Sequence, residues 1–260
     1  MDRNDLKKIE NKLWQSADDL RANSKLKPTE YSMPVLGLIF LRQAFSRFKA
    51  AESEILKTLP SHPIRGTRPI EQHDFRDAKA LYLPENARWE NIINQAESID
   101  IGEFLNEAMK SIEKENPSLE GVLPNTYQLF EKDLLFRVLR VFNDPALENI
   151  PGDAFGTIYE YFLNKFAQND AQEGGEFFTP PSLVNTIVNI IEPTSGIVCD
   201  PSVGSAGMFV QTSYFLEEKG LNPSDKVTFY GQEKTTTNTR LAKMNICLLY
   251  TSPSPRDKRQ

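Results

Sequence analysis

Val198-Cys199-Asp200-Pro201-Ser202-Val203-Gly204-Ser205-Ala206-Gly207-Met208-Phe209 is the stretch from which the fold is read. Its beginning, Ile197-Val198-Cys199, is a short apolar run that reads as a buried strand, and a helix is expected from about Ala206 to Lys219. Between them lies a turn containing Gly204 and Gly207, whose missing Cβ atoms let the backbone bend sharply and approach a ligand closely. A second strand is expected at Val227-Thr228-Phe229-Tyr230. Strand, helix and strand in this order open a parallel sheet, and such sheets bind ligands outside the carboxyl ends of their strands. The glycine spacing departs from the G-x-G-x-x-G of dinucleotide folds, which argues against a nicotinamide cofactor. A tight connection that binds nothing remains an alternative for this segment taken alone.

The second strand runs into Tyr230-Gly231-Gln232-Glu233, which places a carboxylate at the tip of the neighbouring strand. There it can accept hydrogen bonds from two ribose hydroxyls. The competing reading is a solvated Glu at a helix start, stabilised by the helix dipole. Upstream, Gly175-Glu176-Phe177-Phe178-Thr179-Pro180-Pro181 leads into an apolar helix carrying Leu183, Val184, Ile187, Val188 and Ile191. By itself this run is equally a hydrophobic staple with Thr179 as N-cap.

Helical patterns fill the first half of the chain. Leu6, Ile9, Leu13, Ala17 and Leu20 give an amphipathic stripe. A second helix is expected to begin near Ser32, with Pro34 in its first turn and Val35, Leu38, Ile39, Leu41, Phe45 and Phe48 making it apolar on most sides. Prolines at 60, 63, 69 and 84 predict an irregular stretch from Ser61 to Arg88 with at most short helices. Two further stripes follow: Phe104, Ala108 and Ile112, then Leu129, Phe130, Leu134, Leu135, Val138, Leu139 and Phe142. Turn residues crowd the segment from Asn143 to Gly152, the expected connection to the second part. Phe155, Ile158, Tyr159, Phe162 and Phe166 mark a helix beyond it.

Composition narrows the function. No apolar run approaches the roughly 20 residues that cross a bilayer, and the start lacks the apolar core of a signal peptide, so a cytoplasmic location is expected. Two cysteines are too few for a disulfide framework, and Cys199 is expected to be a buried, inert thiol. His62 and His73 have no partners at metal-ligand spacing, and no metal site is expected. The formal charge of -6 argues against unaided, nonspecific binding to a duplex, whose affinity comes mainly from Lys and Arg neutralising phosphates.

Taken together and in this order, the segment Glu176 to Pro181, the glycine turn and the acidic strand end resemble the amino-methyltransferases that modify adenine in DNA, specifically the modification subunits of type I restriction-modification systems. The likeness extends over the preceding helices. It implies an α/β chain: an N-terminal all-helical domain over 1–150, then the beginning of a Rossmann-like S-adenosylmethionine-dependent methyltransferase sheet over 151–246. It implies S-adenosylmethionine as cofactor, held by Glu176, Phe177, Phe178, Thr179, Pro180, Pro181, Asp200, Gly204, Ser205, Ala206, Gly207 and Glu233. Phe178 and Thr179 would line the methionine end, Asp200 would help hold its amino group, Ser205-Ala206-Gly207 would present close backbone, and Glu233 would take the ribose. Family members often carry Cys where Val203 stands and Gly where Ala206 stands. The implied partners are DNA, a specificity subunit, a restriction subunit and a second modification subunit. The family's Asn-Pro-Pro-Phe-type motif, which grips a flipped adenine, has no counterpart here, so no catalytic residue is assigned and turnover by these residues alone is not expected. Residues 247–260 resemble translated sequencing-adapter DNA and are expected to be a non-native tail. Methylation of RNA or protein, or a noncatalytic helical docking module, are the other functions weighed.

Overall fold

A computed structural model describes residues 3–23, 28–59, 61–62, 66–78, 80–144, 158–163, 165–166 and 179–249. The chain divides into two compact units, Met1–Phe166 and Ala167–Gln260.

The first unit is built around α2 (Pro28–Thr58), whose residues Val35, Leu36, Leu38, Ile39, Phe40 and Leu41 are all buried. A helix apolar all round must be enclosed by others. It starts earlier than the proline suggested, so Pro34 lies inside it rather than in its first turn. Proline has no amide hydrogen and so forgoes one bond within the helix; its own carbonyl accepts the hydroxyl of the buried Tyr127 at 3.0 Å. Gly37 makes that approach possible: a Cβ there would lie 2.5 Å from the Tyr127 hydroxyl and overlap Pro124. The break at Leu123-Pro124 is therefore a plug seated on α2.

Around α2 pack α1 (Arg3–Asn23), α3 (Gln72–Asp77), α4 (Trp89–Ile93) and α6 (Lys132–Phe142). Next to α6 lies α5 (Ile101–Glu115), whose first-turn amide of Glu103 donates to the Asp100 side chain at 3.0 Å. Its buried stripe is Ile101, Leu105, Ala108, Met109 and Ile112, with Phe104 beside it and only half-buried. On α6 the stripe begins at Leu134; Leu129 lies on a preceding short turn and is exposed, whereas Phe130 is buried. The Ser61 to Arg88 stretch holds the short antiparallel pair β1 (Ser61–His62) and β2 (Gly66–Thr67), then α3. Helical residues 158–163 and 165–166 close this unit: Phe162 and Phe166 pack on Trp14, with ring centroids 5.4 and 5.2 Å away. By packing, the first unit thus runs to Phe166, beyond the turn-rich connection expected from sequence. Residues 145–152 of that connection, and Phe155 beyond it, lie outside the described residues.

The second unit comprises α7 (Pro181–Ile191), β3 (Gly196–Asp200), α8 (Gly207–Glu218), α9 (Pro223–Lys226), β4 (Val227–Gly231) and α10 (Thr236–Leu249). β3 and β4 pair in parallel, Gly196 opposite Val227 and Asp200 opposite Gly231. Val198 and Phe229 are directly opposite each other and pack against the helices, with Val184, Val188, Phe215 and Leu216 behind them. The other face carries Ile197 at 72% exposure, Cys199 and Tyr230. Two expectations are corrected here: the first strand is not buried, and Cys199 is an exposed thiol. An apolar run does not reveal how many layers cover it, and helices cover this sheet on one face. Helix α10 runs without interruption across the expected junction at residue 246, and residues 250–260 lie outside the described ones.

Candidate cofactor site

Parallel pairing brings the carboxyl ends of β3 and β4 to one edge, and backbone bonds extend it. The Gln232 amide donates to the Asp200 carbonyl at 2.9 Å, and the Val203 amide donates to the Gln232 carbonyl at 3.0 Å. The turn after β3 is thereby zipped to the segment leaving β4. Gly231 lets them meet, since a Cβ there would sit 2.9 Å from Val203 Cγ2 and 3.2 Å from Phe209 Cε2. Beneath the turn, Phe209 stacks on Phe229 with centroids 4.5 Å apart.

Within the turn, Asp200 Oδ1 accepts the Ser202 amide at 2.9 Å, and the Ala206 amide donates to Val203 at 2.8 Å. Gly204 has φ 54°, a left-handed conformation that suits glycine. The second left-handed residue is Ala206, at φ 70° and ψ 28°, and not Gly207. Gly207 is the first residue of α8. A Cβ on Gly204 or on Gly207 would meet nothing within 4 Å, so both glycines border open space. Sequence reasoning credited the bend to Gly204 and Gly207, whereas the backbone needs the special conformation at Gly204 and Ala206.

Glu233 joins this turn directly. Its Oε2 accepts the Gly204 amide at 3.0 Å. Its Oε1 accepts the amides of Lys234 and Thr235 at 2.8 and 2.9 Å, and the Thr235 hydroxyl at 3.3 Å. The Thr235 amide above all, with those of Gly204 and Lys234 and the Thr235 hydroxyl, holds the carboxyl below its usual range against a smaller opposing effect of burial. Thr235 Oγ1 in turn accepts the Asn238 amide at 3.4 Å, capping α10. Oε1 thus braces the start of a helix, while Oε2 faces the glycine turn.

The remaining predicted residues are placed less closely. Thr179 and Pro180 are exposed at the start of α7, which packs along α8. Pro180 is the N-cap position and Pro181 opens the helix, so Thr179 does not cap it. Glu176, Phe177 and Phe178 lie outside the described residues. Ser205 is buried, and its carbonyl accepts the side chain of Asn245 at 2.9 Å. Asn245 was not singled out from sequence, because nothing in the pattern of α10 distinguishes it from a solvated polar residue.

This geometry is found in a chain with recognisable relatives. The HsdM N-terminal domain family matches residues 9–142, and the N-6 DNA methylase family matches residues 151–253. The chain belongs to the HsdM family of type I modification subunits. By residue number, the second family match begins before the end of the first compact unit. Over 255 residues the chain is 34% identical to the type I restriction enzyme MjaIX methylase subunit of Methanocaldococcus jannaschii, covering 92% of this chain and 45% of that protein. It is 35% identical over 189 residues to the HindI methylase subunit of Haemophilus influenzae, covering 64% and 42%. The chain thus spans less than half the length of these relatives. The fold is similar to that of a type I methyltransferase subunit from Streptococcus thermophilus, with TM-score 0.68 at 18% identity over 95% of this chain and 57% of that one. A modification subunit of a putative type I restriction enzyme from Vibrio vulnificus gives TM-score 0.59, also at 18% identity, over 93% and 53%.

Proposed function

We propose that this polypeptide serves as the methyl-transferring subunit of a type I restriction-modification system, acting on the exocyclic amino group of adenine in DNA with S-adenosylmethionine as methyl donor. The single observation that carries the cofactor assignment is the 3.0 Å bond between the Gly204 amide and Glu233 Oε2, which sets a carboxylate against a glycine turn at the end of a parallel strand pair. The residues present suit a nucleoside. Open space beside Gly204 and Gly207 gives room for close approach, and a carboxyl kept ionised is an acceptor for ribose hydroxyls.

When bound, S-adenosylmethionine supplies an activated methyl group on a sulfonium. The chain's own part is to bind and orient. Glu233, whose Oε2 already accepts the Gly204 amide, would hold the ribose hydroxyls. Asp200, beside the turn, would help hold the amino group of the methionine end. Glu176, Phe177, Phe178, Thr179, Pro180 and Pro181 complete the pocket by resemblance. Alignment of the amine behind the methyl is the main demand of the reaction, and the adenine must leave the stack to reach it. The Asn-Pro-Pro-Phe-type grip for that base is not found in residues 1–260, so these residues supply the cofactor-binding share of the chemistry. DNA recognition is shared with a specificity subunit, alongside a restriction subunit and a second modification subunit, consistent with the formal charge of -6. The cytoplasm is the proposed compartment; no described helix is long and apolar enough to cross a membrane. On the resemblance, and not on packing, which carries the first unit to Phe166, we also propose 1–150, 151–246 and 247–260 as helical domain, partial methyltransferase domain and non-native tail.

Equilibrium dialysis with labelled S-adenosylmethionine tests the assignment. Saturable binding that Glu233→Ala weakens at least tenfold is expected. Absence of saturable binding, or equal binding by the variant, overturns it.

A further inference from the structure

The glycine turn is held from one side by β4 and from beneath by a single buried amide. Asn245, on α10, is 4% exposed, and its Nδ2 donates to the Ser205 carbonyl at 2.9 Å. The carbonyl can only accept, so the carboxamide must present its NH2 end there. The same peptide unit is engaged at its other end, where the Ala206 amide donates to the Val203 carbonyl at 2.8 Å. A peptide is planar, so fixing both its carbonyl and its amide fixes its rotation. The residue that follows this peptide plane is Ala206, the one non-glycine residue among the described residues of the turn at positive φ. An L-residue resists that conformation, and a peptide flip would relax it. Asn245 opposes the flip, because losing it would strand a buried donor and a buried acceptor together.

What depends on this peptide is the wall of the site. Ala206 leads directly into Gly207 and the first turn of α8, and the Ala206 carbonyl accepts the amides of Phe209 and Val210 at 3.0 and 3.1 Å. Rotation of the preceding peptide would therefore displace Gly207 and re-aim the start of α8. Ala242 and Ile246, on the same side of α10, pack into the cluster of Val203, Ala206 and Phe209, which places Asn245 within a dry surround. We propose that Asn245 is a positioning residue for the cofactor turn: it selects the peptide orientation at Ser205-Ala206 that shapes the Gly204 to Gly207 wall. The shaping claim stands on the hydrogen bonds, and its consequence for cofactor affinity rests on the assignment proposed above.

The test combines two measurements on the 260-residue chain. Residue-resolved amide exchange reports the turn without any ligand, and calorimetric titration with S-adenosylmethionine reports affinity. Asn245→Asp replaces the donor by an acceptor of the same shape, Asn245→Ala removes it should the charged variant not fold, and Val188→Ala weakens the α7 and α8 packing away from the turn. Loss of one buried hydrogen bond predicts about tenfold faster exchange at the Ala206 amide and about tenfold weaker binding in either Asn245 variant. Val188→Ala is expected to change neither selectively. Exchange at Ala206 no faster than in Val188→Ala, or faster exchange with undiminished affinity, overturns the proposal. Absence of binding by the unmodified chain instead contradicts the cofactor assignment, and exchange alone then decides whether Asn245 fixes the turn.

Discussion

At the glycine turn the strained position falls on Ala206, and the resemblance noted from sequence, in which relatives often carry glycine there, acquires a physical reason in φ 70°. An L-residue in this conformation costs about 1–2 kcal/mol, partly offset because glycine loses more freedom on folding. Ala206→Gly is therefore expected to stabilise the second unit by about 0.5–1 kcal/mol in urea denaturation. Gly231 poses the opposite constraint. With a Cβ 2.9 Å from the branched Val203 side chain, Gly231→Ala must push the turn away from β4. A loss of about 1–3 kcal/mol is expected from such overpacking, together with weakened cofactor binding in the same samples. Glu233 adds a dependence on pH. Its pKa is depressed in the folded state, so it contributes stability above the ordinary carboxylate range, and this is lost as pH falls from that range through its lowered value. Acid titration of the denaturation midpoint is expected to show this decline, and Glu233→Gln to flatten it.

Among the elements, helices were the most legible and their environments the least. The 3.6-residue stripes of α5 and α6 locate both helices, yet Leu129 was assigned to the α6 stripe although it sits on a separate turn, exposed by 56%. Pro34 shows why local rules gave the wrong start for α2. A proline reads as a first-turn residue, yet here it stands inside the helix while its carbonyl accepts the distant Tyr127 hydroxyl. Such a contact joins residues 93 positions apart and leaves no trace in periodicity. Gly37 belongs to the same joint. Gly37→Ala is expected to destabilise the first unit by about 1–3 kcal/mol, because Pro124 and Tyr127 occupy the space of the new methyl group. A thermal melt of that variant checks it; an unchanged midpoint would mean the plug relaxes freely. Strands were located within a residue or two, but burial of β3 was overestimated, since an apolar run looks the same whether one face or both are covered.

For the molecule as a whole, the order of strand, glycine turn, helix, strand and acidic tip was readable because each part has a local signature. Adjacency of Gly204 and Glu233 was inferred from the geometry of parallel sheets and is now given as a hydrogen bond. The bracing by Asn245 was not readable, because a buried amide and a solvated one are the same letter. The segment Glu176 to Phe178, central to the resemblance, lies outside the described residues and so contributes by likeness alone. The most direct trial is a two-dimensional amide NMR titration of the 260-residue chain with S-adenosylhomocysteine, the demethylated product of the methyl donor. Saturable shifts centred on Gly204, Gly207 and the amides held by Glu233 are expected, with the described residues between 3 and 144 unmoved. Shifts that never saturate, or that fall in 3–144 while Gly204 and Lys234 stay still, would contradict a nucleoside site between the turn and Glu233.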